Sequence, residues 1–251
     1  MNFGKSIKLT LTVILITLAL PVTAHSAEKI KALATFSILG DMVKRIGGQH
    51  VVVTTLVGPD GDTHVYRPTP AAAKAMSESD LLIVNGLEFE GWLDRLVEAS
   101  DFKGERVVAT KGIDAIPYGD SEGHDEHAKD KHDDHAKDKH DEHAKDKHDE
   151  HAHHDHGEFD PHAWQSLTNA VIYVNNIAAA LAVISPNNAA EFYKNRAAYI
   201  AEIKALDAQI HQMVAGLPED RRTIVTSHDA FQYFGRSYGL TFLAPQGLST
   251  E

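Results

Sequence analysis

Eleven of the chain's 17 histidines lie between His124 and His156. They are His124, His127, His132, His135, His140, His143, His148, His151, His153, His154 and His156, set in four near-copies of His-Asp-Glu-His-Ala-Lys-Asp-Lys. A stretch with almost nothing apolar to bury is expected to be disordered. Neutral imidazoles beside carboxylates form a dense set of borderline-soft metal ligands, so the chemistry implied is metal binding, with zinc favoured. The tract alone does not separate transport, buffering and use of the metal.

Six histidines lie outside it. His25 falls in the N-terminal segment, His50 reads as exposed beside a strand, and His211 reads as solvated on a helix. The other three share a context. His64 sits in a Pro/Gly-rich loop after a strand, and His228 directly follows the strand segment Ile224-Val225-Thr226. His162 stands in Asp160-Pro161-His162-Ala163-Trp164, at a helix start. Ligands of open α/β sheets bind beyond the carboxyl ends of strands, where two of these three are placed. Three imidazoles make a primary shell for zinc with a fourth position for carboxylate or water. Asp62, Asp160 and Asp229 are each placed either to orient a neighbouring imidazole or to cap a turn. Trp92 and Trp164 read as packing residues, and Asn85-Gly86 as a turn. The chain has no Gly-x-Ser-x-Gly, no His-Glu-x-x-His and no phosphate-binding glycine loop, and no general base is evident, so no enzyme activity is expected.

The elements that must position these residues alternate. Strands are expected at 30–35, 51–57, 81–84 and 106–110, with helices at 38–46, 70–77 and 90–99. Thr69 is placed to cap the helix that begins at Pro70. After the histidine tract comes a helical block, 164–183 and 188–215, divided by Pro186. The second helix is long for a globular protein, about 40 Å at roughly 1.5 Å per residue. Strands at 223–226 and 240–243 flank a helix at 230–238, so the α/β pattern resumes in a second lobe. Two strands are few for a parallel sheet covered on both faces.

Residues 1–27 read as a secretion signal, with Lys5 and Lys8, an apolar core at 9–20 and small residues after it. That apolar run is about a dozen residues, against roughly 20 needed to span a bilayer. No later segment reads as a membrane span. There is no cysteine, hence neither a disulfide nor an acylated cysteine at the expected cleavage region. The location expected is the periplasm. The formal charge is −12, and residues 121–158, with 14 acidic and six basic side chains, supply −8 of it. This balance argues against nucleic acid as a partner and favours cations.

Four segments then make the chain recognisable: Gly61-Asp62-Thr63-His64-Val65-Tyr66-Arg67-Pro68-Thr69-Pro70, Asn85-Gly86-Leu87-Glu88-Phe89-Glu90-Gly91-Trp92-Leu93, Asp160-Pro161-His162-Ala163-Trp164 and Ser227-His228-Asp229-Ala230-Phe231-Gln232-Tyr233-Phe234. The chain resembles the cluster A-I metal-binding proteins of ABC transporters, of the zinc type. The resemblance implies two Rossmann-like α/β lobes joined by one long backbone helix, with metal in the cleft between them. The expected organisation is an N-terminal lobe at 28–120, a metal-binding loop at 121–158, a segment at 159–187 completing the first lobe, a linking helix at 188–217 and a second lobe at 218–251. It implies His64, His162 and His228 as cleft ligands, with the tract histidines as auxiliary sites. Manganese-type members carry a carboxylate where His228 stands, so Zn2+ is the expected cargo and Mn2+ the less favoured one. Family members continue several dozen residues past Glu251, and in many that stretch supplies a fourth ligand, an aspartate. The second lobe is therefore expected to be incomplete here. The function implied is high-affinity capture of periplasmic zinc by a monomer and delivery to an inner-membrane ABC permease. The alternative is a periplasmic zinc buffer or chaperone dominated by the tract. Because protons compete for imidazole, affinity is expected to fall below about pH 6.

Overall fold

A four-stranded parallel sheet, its strands ordered second, first, third and fourth by their place in the chain, organises the first lobe of the computed structural model, which describes residues 28–117 and 158–245. Both the expected signal segment and the eleven tract histidines lie outside the described residues. The strands are β1 (Ile30–Phe36), β2 (Val51–Val57), β3 (Leu81–Val84) and β4 (Glu105–Val108). Between them run α1 (Ser37–Gly47), α2 (Pro70–Ser77) and α3 (Leu93–Ser100). β1 lies centrally, pairing Ile30 with Val51 on one side and Ala32 with Leu81 on the other. Chain connections therefore leave β1 and β3 in opposite directions, and the loops at their carboxyl ends open a crevice. All four residues of β3 are buried, as a strand covered on both faces requires.

The local chemistry explains the boundaries. Thr69 Oγ1 accepts the Ala72 amide at 3.2 Å, with Pro70 in the first turn of α2. This cap satisfies one orphan donor of the helix. α1 ends at Gly48, whose φ is 55°. The helix expected from residue 90 begins instead at Leu93. Leu87 and Glu88 adopt positive φ, 55° and 60°, and the Glu90 side chain turns back into the loop, so residues 85–92 form a compact corner.

α4 (Leu167–Ile184) and α5 (Ala189–Ala215) follow, and Ser166 caps the first of them. By length and composition α4 could cross a membrane, with a mean hydropathy of 1.7, which the sequence reading did not expect. Here Tyr173, Val174, Ile177, Ala178 and Leu181 are buried, and α4 packs against α1 and α5. It is a core helix. α5, 27 residues long, is fastened to the first lobe by Phe192 in the core and by Arg45 of α1, which pairs with Glu202 and lies over the Tyr199 ring. Its far end reaches the second lobe, where Tyr238 donates to Asp207 at 2.7 Å. That lobe comprises β5 (Thr223–Val225), α6 (Gln232–Tyr238) and β6 (Thr241–Leu243), with β5 and β6 parallel. Two α/β lobes joined by one long helix are thus the architecture, as expected.

Candidate metal centre

Each of the three singled-out histidines arrives on a different segment. His64 lies in the loop after β2. Its amide donates to Asp62 Oδ1 at 2.9 Å, so Asp62 acts as a turn residue here. Trp92 holds the same loop: its Nε1 donates to the Thr63 carbonyl at 2.9 Å, and its ring packs on Tyr66. Trp92 thus packs, as expected, and also positions the loop.

His162 is 1% exposed. Asp160 Oδ1 accepts from both its amide and its Nδ1, at 2.9 and 2.8 Å. The two roles considered for Asp160, turn former and imidazole orienter, are therefore filled by one oxygen. With the ring proton held on Nδ1, the Nε2 lone pair is directed toward the other two histidines. Trp164 packs beside the ring, with Phe36 and Phe89.

His228 follows β5, on a turn in which Thr226 Oγ1 and the Ala230 amide both donate to its carbonyl. Asp229 accepts from Gln232 Nε2.

The structure brings the three together. One potential ligand atom from each of His64, His162 and His228 lies within 4.8 Å of the others, and Nε2 of His64 is 3.1 Å from Nε2 of His162. Zinc–nitrogen bonds of about 2.0–2.1 Å at tetrahedral angles put ligand nitrogens roughly 3.3 Å apart. Small side-chain adjustments would close the set on one ion. Burial, then the neighbouring His162, lowers the His64 pKa from 6.5 to about 4. Burial, with His162 again second, also lowers that of His228. Both imidazoles are thus biased toward the neutral form that coordinates metal. The onset of proton competition near pH 6, expected from ordinary imidazoles, shifts lower at these two positions.

Among the described residues, the two other histidines do not join them. His50, expected to be exposed, is half-buried: it pairs with Glu191 of α5 at 2.8 Å and stacks edge-on against Phe192. His211 is exposed on α5, as expected, with its ring against Tyr238.

Sequence reasoning missed the scaffold behind the site. Glu90 is buried and accepts from Thr35 Oγ1, the Asn85 amide and the Gly86 amide at 2.6, 2.7 and 3.2 Å. Its burial pushes the carboxyl pKa up while those donors oppose the shift. Asn85 is more than a turn residue. Its Nδ2 donates to the Pro161 carbonyl at 2.9 Å, and its Oδ1 accepts from Tyr173 at 2.6 Å. The 85–90 corner thereby fixes the segment carrying His162. Gly86 is required there: its φ is 90°, and a Cβ would meet Val108 Cγ1 at 2.6 Å.

A family model described as zinc-uptake complex component A, periplasmic, matches residues 33–251. The chain belongs to this family. Its periplasmic location follows, as the signal segment led us to expect. The manganese-binding lipoprotein MntA of Halalkalibacterium halodurans is 34% identical over 218 residues, 86% of this chain and 60% of that protein. The chain thus spans about three-fifths of that relative's length. Among solved structures, the periplasmic zinc-binding protein TroA of Treponema pallidum is similar with a TM-score of 0.71 and 25% identity, over 88% of this chain and 68% of that one. The manganese-bound periplasmic metal-binding protein of Candidatus Liberibacter asiaticus is similar with a TM-score of 0.66 and 28% identity, over 86% and 70% of the two chains.

These relatives overturn one expectation. Manganese was read as the less favoured cargo because an imidazole stands at His228, yet manganese-binding relatives resemble this chain at least as strongly as zinc-binding ones. The donor-type argument fails for a physical reason. Zinc outranks manganese in affinity at almost any nitrogen or oxygen site, so selectivity rests on geometry, remaining ligands and metal supply rather than on one imidazole.

Proposed function

We propose that the protein binds one divalent ion, Zn2+ or Mn2+, between His64, His162 and His228 and delivers it to an inner-membrane ABC permease. The observation that carries this is the convergence of three imidazoles from three segments and both lobes, with ligand atoms within 4.8 Å. The family match and the metal-binding relatives support it. Three neutral nitrogen donors leave positions for oxygen ligands, which suits either ion. No bond is made or broken in the cargo, so binding and release are the whole of the chemistry.

Competition titration against a chelator, with Zn2+ and with Mn2+, tests the proposal. Wild type should show one tight event per chain, and the H64A/H162A/H228A triple variant should lose it. Tight binding retained by the triple variant would refute the site. A second reading rests on the eleven histidines of 124–156: a periplasmic buffer dominated by several weak sites. Stoichiometry separates the two, because a buffer would show several similar weak events and no dominant tight one.

A further inference from the structure

The proposed site draws imidazoles from both lobes, and a buried hydrogen-bonded joint lies beside them. Tyr233 stands on α6, five residues after His228, and is 1% exposed. Its hydroxyl donates to the Asp160 carbonyl at 2.9 Å and accepts from the Ile116 amide at 3.0 Å. Both partners belong to the first lobe, and Asp160 is the residue whose carboxylate orients His162. On the same side of α6, Arg236 reaches the Asp114 carbonyl at 3.2 Å and its carboxylate at 3.3 Å. Ser237 Oγ lies 3.2 Å from Ser166 Oγ. Positions 233, 236 and 237 share one face of a helix, so α6 is stitched along that face to residues 114–116, 160 and 166. Tyr233 is the buried member of the three. Arg236 is 53% exposed on its side chain, where a pair to carboxylate contributes little.

We infer that the Tyr233 hydroxyl is a positioning group for metal capture, holding the lobe that carries His228 against the first lobe so that His228 faces the His64–His162 pair before metal arrives. The inference rests on the three-histidine reading above. Its consequence is a matter of populations. When only a fraction of molecules holds the binding-competent arrangement, apparent affinity falls by that fraction. Removing the hydroxyl leaves the Asp160 carbonyl and the Ile116 amide without their partner. The loss should then be on the order of tenfold, the scale of one or two net hydrogen bonds.

The test is a cycle of zinc titrations on the full chain: wild type, Tyr233→Phe, His228→Ala and the double variant. Tyr233→Phe keeps the ring and its packing. It should weaken binding about tenfold when His228 is present and less than about twofold in the His228→Ala background, where no imidazole remains to be positioned. Equal losses in both backgrounds would overturn the inference by assigning Tyr233 to Asp160 and His162 alone. No loss in either would overturn it as well. If His228→Ala itself leaves affinity unchanged, the three-histidine site fails and takes the inference with it, a result distinct from a silent Tyr233→Phe. Arg236→Ala provides a second arm, with an expected loss of about two- to threefold confined to the His228 background; a larger loss than that of Tyr233→Phe would contradict the assignment to Tyr233.

Discussion

Replacing Asp160 with asparagine should weaken metal binding by about tenfold. One carboxylate oxygen, Oδ1, receives both the amide and Nδ1 of His162 at 2.9 and 2.8 Å, and the two side chains are only 1% and 2% exposed. A hydrogen bond to a charged acceptor contributes about 1.5–3 kcal/mol, against about 0.5–1.5 for a neutral one. The amide oxygen of asparagine can still receive Nδ1, so the loss is the difference, about 1.4 kcal/mol, which is tenfold in affinity. That lies at the low end of the ~10–100-fold range typical for residues that orient metal-bound imidazoles. A second cost falls on the fold. Asp160 Oδ2 makes no hydrogen bond with the described residues, so asparagine would bury an amide group there at a cost of about 1–3 kcal/mol. The assay is chelator competition at pH 7.5 with Zn2+ and Mn2+, run beside denaturant unfolding of the metal-depleted protein. Asp229→Asn is the control: Asp229 adjoins His228 in sequence but accepts from Gln232, and the change should be under about twofold. The reasoning is refuted if both variants behave alike, or if Asp160→Asn loses stability with its affinity intact.

Three further outcomes are expected. With the His64 pKa lowered from 6.5 to about 4, metal binding at pH 5.5 should displace almost no proton from that ring, whereas an ordinary imidazole would release about 0.9; titration in buffers of different ionisation enthalpy should count two protons or fewer, and three would contradict it. The same depression, shared in direction by His228, means that the folded chain favours neutral rings: this stability is present above about pH 6.5 and is lost as pH falls toward 4, so the melting temperature of metal-depleted protein should drop across that window and drop less in His64→Ala. Asn85→Ala strands the Pro161 carbonyl and the Tyr173 hydroxyl in the core and should cost about 2–4 kcal/mol of unfolding free energy; a loss below about 1 kcal/mol would show that the corner is not the support described.

The strands and helices were legible where local chemistry dominates. The β-branched run 51–57 and the Thr69-Pro70 helix start agree with β2 and α2 to the residue. The start of α3 was not legible, because Glu90 leaves the helix to meet Thr35, 55 positions earlier in the chain. The three histidines could be singled out because two follow strands and one follows Asp-Pro, a context readable within a few residues. Their scaffold could not. Asn85 to Tyr173, Tyr233 to Asp160 and His50 to Glu191 are pairings across 88, 73 and 141 residues, and no local pattern encodes them. The identity of the metal was misjudged for a different reason. One ligand type was asked to decide a selectivity that the remaining coordination positions also control.

The central claim is that one ion sits among His64, His162 and His228. Anomalous diffraction at the metal edge, from crystals loaded with one equivalent of Zn2+ or Mn2+, tests it most directly. A single strong peak about 2.0–2.3 Å from a ring nitrogen of each of the three histidines is the result expected. A peak held by other residues, with these three imidazoles left uncoordinated, would contradict the account.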